Sequence, residues 1–227
     1  HPQGESRICY SIIDAGGRST DLNEEGPRVP AGAQARLLRE LSRRAGGFRM
    51  AAVCGRMAMG LKKGFYARLT GVLKKAGCFT AFDTSGASLL EGIEAGADLV
   101  KINRAEFMEI AGGSFSRHNV VRFFAKHSPL GLKALIVTDG PRSTLAVSQF
   151  GLWEARPVPL KRVVSPVGAG DSFMAGFVSG FMKGLAFEAN LKLASGCAAS
   201  DCLTLGAGHI SRGKAEAFAV NVRVKEL

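Results

Sequence analysis

Residues 79–112 read FTAFDTSGASLLEGIEAGADLVKINRAEFMEIAG. Two short apolar runs, FTAFD and DLVKIN, are each followed by a segment of helical period, ASLLEGIEAG and RAEFMEIAG. Short apolar runs bounded by turn residues suit strands buried on both faces, and a helix after each one carries the chain back to begin the next. The same pair of signals stands just upstream, FRMAAVCG at 48–55 followed by GFYARLTGVLKKAG at 64–77. Repeated strand-helix units of this kind predict an α/β fold, with a mostly parallel central sheet covered by helices on both faces.

Working outward, helical patterns occupy GAQARLLRELSRRAG (32–46) and RHNVVRFFAKH (117–127). Three extended runs, LKALIVTDG, STLAVSQ and GLWEARPVP between 132 and 159, are expected to form the antiparallel edge of the same sheet. From Gly170 to about Leu205 the pattern is two successive helices, and a last helical pattern lies near Lys214–Ala219. We find no linker, repeat or low-complexity stretch, so residues 1–227 are expected to form a single domain.

With 227 residues, 46% of them hydrophobic, the chain can bury a sizeable core. The apolar run Phe173–Leu185 is too short to span a bilayer and is interrupted by Gly176, Gly180 and Lys183, so it is expected to be a core helix. Gly176, Gly180 and Gly184 recur every four residues, which puts them on one helix face and invites a neighbouring backbone to approach. Five cysteines, an odd number without C-x-x-C spacing, together with no secretory segment, lead us to expect reduced thiols and a cytoplasmic protein that does not enter a membrane. Four scattered histidines make no metal pair. The net charge of +11 suits anionic partners. Because the basic residues are dispersed and aromatics few, phosphorylated metabolites fit that charge better than nucleic acid does. The chain opens on His1 and enters at once into a strand-like run from Arg7 to Ile13, so a piece of a longer protein is expected.

The most chemically suggestive stretch is VGAGDSF, 167–173. Gly168 and Gly170 flank the small Ala169, and an apolar helical pattern begins directly afterwards. A bend of this kind can turn successive N–H groups toward one point at a helix N-terminus, where the dipole favours an anion. Asp171 follows in the first turn. A carboxylate beside a phosphate nest is electrostatically costly unless it has a task, and accepting a proton from an attacking hydroxyl is one. The structural alternative is that Asp171 caps the helix and the glycines make a tight turn. No G-x-x-x-x-G-K-[ST] occurs, so a P-loop is not supported.

VSPVGAGDSFMAGF, 164–177, resembles the C-terminal signature of the PfkB-type, ribokinase-like carbohydrate kinases, and its PVGAGDS variant is similar to the branch that phosphorylates fructose and tagatose phosphates. The resemblance implies a ribokinase-like three-layer α/β/α sandwich, here truncated at its N-terminal side, with residues 1–30 a remnant of the lid and substrate region. It also implies that Gly168, Ala169 and Gly170 form the anion hole, that Asp171 is the catalytic base, and that Ser165 and Val167 border the nucleotide. DLVKINRAEF is similar to the family's K-P-N-x-x-E segment, matching at Lys101, Asn103 and Glu106 with Ile102 in place of proline. There Asn103 and Glu106 would organise Mg2+ through water, and Lys101 and Asn103 would serve the nucleotide phosphates. The same residues also read as an N-cap closed by a reciprocal box, and the two roles are compatible.

LIVTDGPRSTLAV resembles the family's strand-turn-strand beside the nucleotide at Thr138 and Gly140, with Ser143 where a glycine is expected, although a hairpin turn alone would account for it. SGCAAS is similar to the helix lining the purine pocket, which puts Cys197 there. GESRICYSI resembles the family's G-E-x-R strand, in which Arg7 would hold a sugar phosphate by a bidentate guanidinium contact; a lone arginine on a strand is also common surface decoration. DLNEEGP matches a further family stretch at Asn23, Gly26 and Pro27. CGRMAMGL stands where the family has G-S-L-P-x-G. Gly55 and Gly60 are kept, Arg56 replaces the serine, and Gly55 and Arg56 become substrate candidates.

What the resemblance implies is an ATP-dependent kinase, using Mg2+, that phosphorylates fructose 1-phosphate, fructose 6-phosphate or tagatose 6-phosphate. A homodimer is an assembly it allows. The family's N-terminal strand with its substrate-binding Asp, its G-G-K-G-x-N-x-A segment and most of its lid have no counterpart in the sequence. A catalytically silent nucleotide-binding or regulatory protein of the same fold is therefore the alternative.

Overall fold

The computed structural model describes residues 5–14, 16 and 19–227. Strands β1 (Cys9–Ile13) and β2 (Ser19–Asn23) pair in a two-stranded sheet. The other seven strands are β3 (Met50–Cys54), β4 (Phe79–Asp83), β5 (Leu99–Asn103), β6 (Ala134–Thr138), β7 (Thr144–Ser148), β8 (Gly151–Arg156) and β9 (Arg223–Glu226), and they lie in sequence order in one sheet. Pairing is parallel from β3 to β5 and antiparallel at β8–β9. The helices are α1 (Ala33–Arg44), α2 (Phe65–Lys75), α3 (Gly86–Glu94), α4 (Arg104–Ala111), α5 (Arg117–His127), α6 (Ala169–Met182), α7 (Phe187–Asp201) and α8 (Arg212–Asn221). The α/β expectation holds, and every helix read from the sequence is present.

The chain clusters into two compact units. The first is built on Asn23–Val137, with Val147–Phe150 and the residues up to Cys9. Its core is Phe82, Leu89, Ile93, Leu99, Val100, Ile102 and Phe107, each almost fully buried. Strand β4 has no exposed position and β5 only its last, Asn103, because helices cover them, which is why they read as continuous apolar runs. Local caps fix where the helices start. Helix α2 begins after Gly64, whose N–H donates to the Glu91 carboxylate of α3 at 2.7 Å. Helix α5 begins at Ser116, whose hydroxyl accepts from the Asn119 N–H at 3.2 Å.

At the N-terminal ends of β4 and β5, the carboxylate of Asp98 is 1% exposed. It accepts from Lys74 and Lys133 at 2.8 Å each and from the Thr80 amide and hydroxyl at 2.9 and 3.0 Å. Burial alone would raise its pKa, but the bonds from Lys133, Lys74 and Thr80 outweigh that and hold the carboxyl below the usual carboxylate range. This knot ties the ends opposite to those that carry Asp83 and Asn103.

The second unit comprises Tyr10–Leu22, Thr138–Ala146 and Gly151–Leu227. Helix α6 packs along α7, and the Phe187 ring lies tilted against Trp153 and edge-to-face with Phe177, with ring centroids 4.7 and 5.6 Å apart. The glycine face expected on α6 is confirmed at two of its three positions. A Cβ on Gly176 would stand 2.8 Å from the Cys197 sulfur and 3.0 Å from the Ala194 Cα, and one on Gly180 would collide with the Asn190 amide. Gly184 differs. It lies beyond the C-cap Lys183 and takes φ +74°, so it ends the helix instead of extending the stripe. Strand β9 was not anticipated, because RVKE is short, charged and mostly exposed, the character of an edge strand that gains its structure by pairing with β8.

Candidate active site

The C-terminal ends of β3, β4 and β5 deliver polar residues to one edge of the first unit, the edge at which open α/β sheets bind ligands. Strand β3 ends at Cys54 and leads into Gly55, whose N–H donates to the Asp83 carbonyl at 2.9 Å. Arg56 is exposed and makes no ion pair among the described residues. Arg7 is exposed too, its stem packed over Gly26. Strand β4 ends at Asp83, and Asp83 receives the ammonium of Lys101 from β5 at 2.7 Å. Lys101 is 5% exposed. Its charge is thus matched within the unit, a placement that the K-x-N-x-x-E spacing alone did not reveal.

Strand β5 hands over to α4 through Asn103. The Asn103 side chain accepts from the Glu106 N–H at 3.0 Å, and the Glu106 carboxylate accepts from the Asn103 N–H at 2.8 Å. The reciprocal capping box is therefore present. Each of these bonds uses only part of the acceptor capacity of a carboxylate or amide oxygen. No cluster of three or more metal-ligating His, Cys, Asp or Glu exists among the described residues. One carboxylate and one amide do not make a closed cage, but they do fit magnesium, which keeps several of its waters and takes one or two protein carboxylates.

In the second unit the glycine bend opens α6. Gly168 is the N-cap at φ +92°, a left-handed conformation in which a side chain is strained. A Cβ there would also stand 2.6 Å from the Ala207 Cα and 2.7 Å from an Asp201 carboxylate oxygen. Glycine is required on both counts. Ser165 braces the approach: its hydroxyl accepts from the Val167 N–H at 3.2 Å, and the N–H groups of Val164 and Ser165 donate to the Cys202 carbonyl at 2.8 and 3.4 Å. Ser165 and Val167 thereby shape the bend and do not line the adjoining cavity.

The N–H groups at the start of α6 are not equivalent. Ala169 N–H turns to the Pro166 carbonyl at 3.3 Å, and helical bonding begins with Ser172 N–H to the Gly168 carbonyl at 2.8 Å. Between them, the amides of Gly170 and Asp171 have no acceptor among the described residues. Of the residues expected at the anion hole, Gly170 thus keeps an amide available, as does the following Asp171, while that of Ala169 is used. Asp171 itself is exposed, and its side chain makes no capping bond. The cap explanation for this acid is not what the structure displays. Asp201, 1% exposed at the end of α7, has both carboxylate oxygens without a hydrogen-bond partner among the described residues.

Next to the bend lies a cavity of about 470 Å³. Thr138, Gly140 and Thr144 of the β6–β7 hairpin form one wall, and Ala169, Gly170 and Phe173 of α6 another. Thr138 and Gly140, expected beside the nucleotide, both line this cavity. Cys197 does not, since its sulfur faces Gly176 in the helix interface; the cavity side of α7 carries Ser195, Ala198, Ala199 and Cys202 instead. A four-residue shift along a helix keeps a residue on nearly the same face, whereas one or two positions rotate it away, and SGCAAS offers no periodic signal to choose between them. Burial raises the pKa of the Cys202 thiol, and the nearby Asp201 adds to the effect. All five cysteines are free thiols. No helix among the described residues is long and apolar enough to cross a membrane.

The chain is similar to known proteins in sequence and in fold. Residues 2–212 match the model of the pfkB family carbohydrate kinases. The 1-phosphofructokinase of Haemophilus influenzae is 29% identical over 197 residues, which are 86% of this chain and 63% of that enzyme, so the chain spans less than two thirds of its relative's length. Among solved structures, a possible 1-phosphofructokinase from Thermotoga maritima superposes with a TM-score of 0.84 at 19% identity, covering 99% of this chain and 72% of the other. Arabidopsis thaliana ribokinase complexed with ribose and ATP gives 0.72 at 21% identity, covering 94% and 69%. The fold is ribokinase-like, and the chain belongs to the pfkB family of carbohydrate kinases.

Proposed function

We propose that the chain carries the nucleotide-binding and proton-accepting parts of an ATP-dependent kinase that transfers the γ-phosphoryl group to a hydroxyl of a phosphorylated ketohexose. The observation that supports this most directly is at the start of α6. Two amides without acceptors among the described residues, Gly170 and Asp171, stand beside an exposed carboxylate that takes no part in capping. Such amides stabilise the charge on a phosphoryl group in flight, and one preorganised donor of this kind contributes about 10²–10³ in rate. Asp171 accepts the proton of the attacking hydroxyl. The cavity beside Thr138 and Phe173 holds the nucleotide base and ribose. In the first unit, Asn103 and Glu106 are proposed to hold the waters of Mg2+. When bound, that ion neutralises phosphate charge. Arg7 and Arg56 are proposed for the acceptor's phosphate, each being exposed. Phosphoryl transfer asks little covalent help of a protein, so positioning and fixed charge carry it.

Among acceptors, the relative named 1-phosphofructokinase favours fructose 1-phosphate over fructose 6-phosphate and tagatose 6-phosphate. A homodimer and a cytoplasmic location belong to the same proposal. The second reading is a catalytically silent nucleotide-binding protein of this fold, favoured by Arg56 where the family pattern has serine.

The test is magnesium-dependent ADP release with ATP and each ketohexose phosphate, for the chain and for Asp171→Asn. Turnover with one acceptor that is lost in the variant, with ATP binding retained, is the expected result. Near-normal turnover by the variant would overturn the assignment of the base. ATP binding without turnover on any acceptor would favour the silent reading.

A further inference from the structure

The lysines and arginines are dispersed along the chain, but the acidic residues that would offset them are not. Residues 28–75 hold 12 of the 30 lysines and arginines and only one of the 19 acidic residues, Glu40. That segment carries the whole net charge of the protein, +11, and the two signs balance in the remainder. It builds α1, β3 and α2, all in the first unit. Just past α2, the Cys78 thiol lies 3.2 Å from the carbonyls of Ala45 and Phe48, which holds the C-terminal ends of α1 and α2 together.

The surplus is most regular on α1. Arg36, Arg39 and Arg43 are exposed and stand at i, i+3 and i+7, on one face of the helix and about 4.5 and 6 Å apart along its axis. With Glu40 and Ser42 they line a surface hollow of about 520 Å³. Glu40 pairs with Arg43 and Arg44, while Arg36 and Arg39 make no ion pair among the described residues. Basic residues in a last turn complement the helix dipole, which accounts for Arg43 and Arg44 on α1 and for Lys74 and Lys75 on α2. The dipole does not account for Arg36, which is the fourth residue of α1, nor for like charges set three and four residues apart, which repel.

A partner that relieves such a face carries negative charge at a comparable spacing. A DNA duplex presents one phosphate charge per about 1.7 Å of its axis, and guanidinium groups take phosphate oxygens bidentately. An anionic membrane fits less well. A helix that lies on a bilayer inserts its apolar side, and on α1 that side, Leu38 and Leu41, is turned away from the arginines and half-buried where α1 packs on α2.

We infer that the Arg36, Arg39 and Arg43 face of α1 is a docking surface for the phosphate backbone of double-stranded DNA, bound without regard to sequence because phosphate contacts carry no sequence information. The inference is independent of the proposed kinase activity, none of whose residues lies on α1.

The experiment titrates the full chain into two fluorescently labelled DNA duplexes of unrelated sequence at about 50 mM salt and follows anisotropy as the salt is raised. Equal affinity for both duplexes is expected, falling steeply with salt. Combining Arg36→Gln, Arg39→Gln and Arg43→Gln should make the slope of log K against log salt shallower by about 3. Each single variant should shift it by about 1, so the inference stays testable if the triple variant does not fold. Arg122→Gln with Lys126→Gln, two exposed basic residues on α5, should leave the slope unchanged. Absence of salt-sensitive binding, or arginine variants with the parent's slope, overturns the inference. Displacement of the duplex by saturating ATP with magnesium also overturns it, since the DNA would then occupy the proposed nucleotide site. So does retention on phosphatidylserine vesicles without binding to either duplex.

Discussion

The ammonium of Lys101 lies 2.7 Å from the Asp83 carboxylate, and both side chains are largely buried, at 6% and 13% exposure. In the sequence, Lys101 belongs to a segment associated with nucleotide phosphates. In the folded unit it is one half of an internal ion pair that joins the ends of β4 and β5. Removing one partner of such a pair takes a charge-assisted bond from the buried group that remains.

Lys101→Met is therefore expected to destabilise the fold by up to about 3–5 kcal/mol, the range for removing one partner of a buried ion pair. The double variant Lys101→Met with Asp83→Asn should recover a large part of that loss. Urea unfolding midpoints measure both. A single variant as stable as the parent would show that the pair contributes nothing.

Gly168→Ala tests the bend. At φ +92° and with Ala207 and Asp201 already in place, an added methyl must displace backbone. Destabilisation greater than about 1 kcal/mol is expected, since an alanine at positive φ costs more than the gain of about 0.4–1 kcal/mol seen at compatible sites. ATP affinity should fall with it. By contrast Ala169→Gly keeps the amides in place and should retain binding.

Asn103 separates a structural role from a magnesium role. Asn103→Asp preserves an N-cap of equal rank, whereas Asn103→Ala loses one and should cost about 1 kcal/mol. If stability survives the Asp variant while the magnesium dependence of ATP binding shifts, Asn103 acts on the ion's waters. An unchanged magnesium dependence in both variants would leave only the cap.

Asp98 sets part of the acid limit of the fold. Its folded pKa is depressed by Lys133, Lys74 and Thr80, which outweigh the opposing effect of burial. A depressed carboxylate contributes stability that is fully present above its unfolded value, about 3.9, and is lost as pH falls through the lower folded value. Asp98→Asn should lower stability near neutrality and flatten the decline below about pH 4. A decline as steep as the parent's would assign the acid sensitivity to other groups.

How far the sequence carried can be seen at individual residues. The strand-helix alternation was legible because buried parallel strands are uniformly apolar and their helices amphipathic, and both patterns are written locally. The glycine bend was legible because a left-handed turn at a helix entry needs glycine whatever surrounds it. The capping box at Asn103 and Glu106 was legible because its partners are three residues apart.

The remainder depended on partners distant in the chain. Lys101 meets Asp83 across 18 positions, Cys197 faces Gly176 and not the cavity, and β9 exists because β8 offers it an edge. The sequence by itself determined the class of fold, the family and the location of the glycine bend, since each rests on short-range periodicity or on contiguous residues. Only the tertiary structure decided which amides at that turn stay free, which side of α7 faces the cavity, and which charges are already paired. Those outcomes depend on the direction in which a side chain or N–H group points, and direction is set by packing against residues far away in sequence.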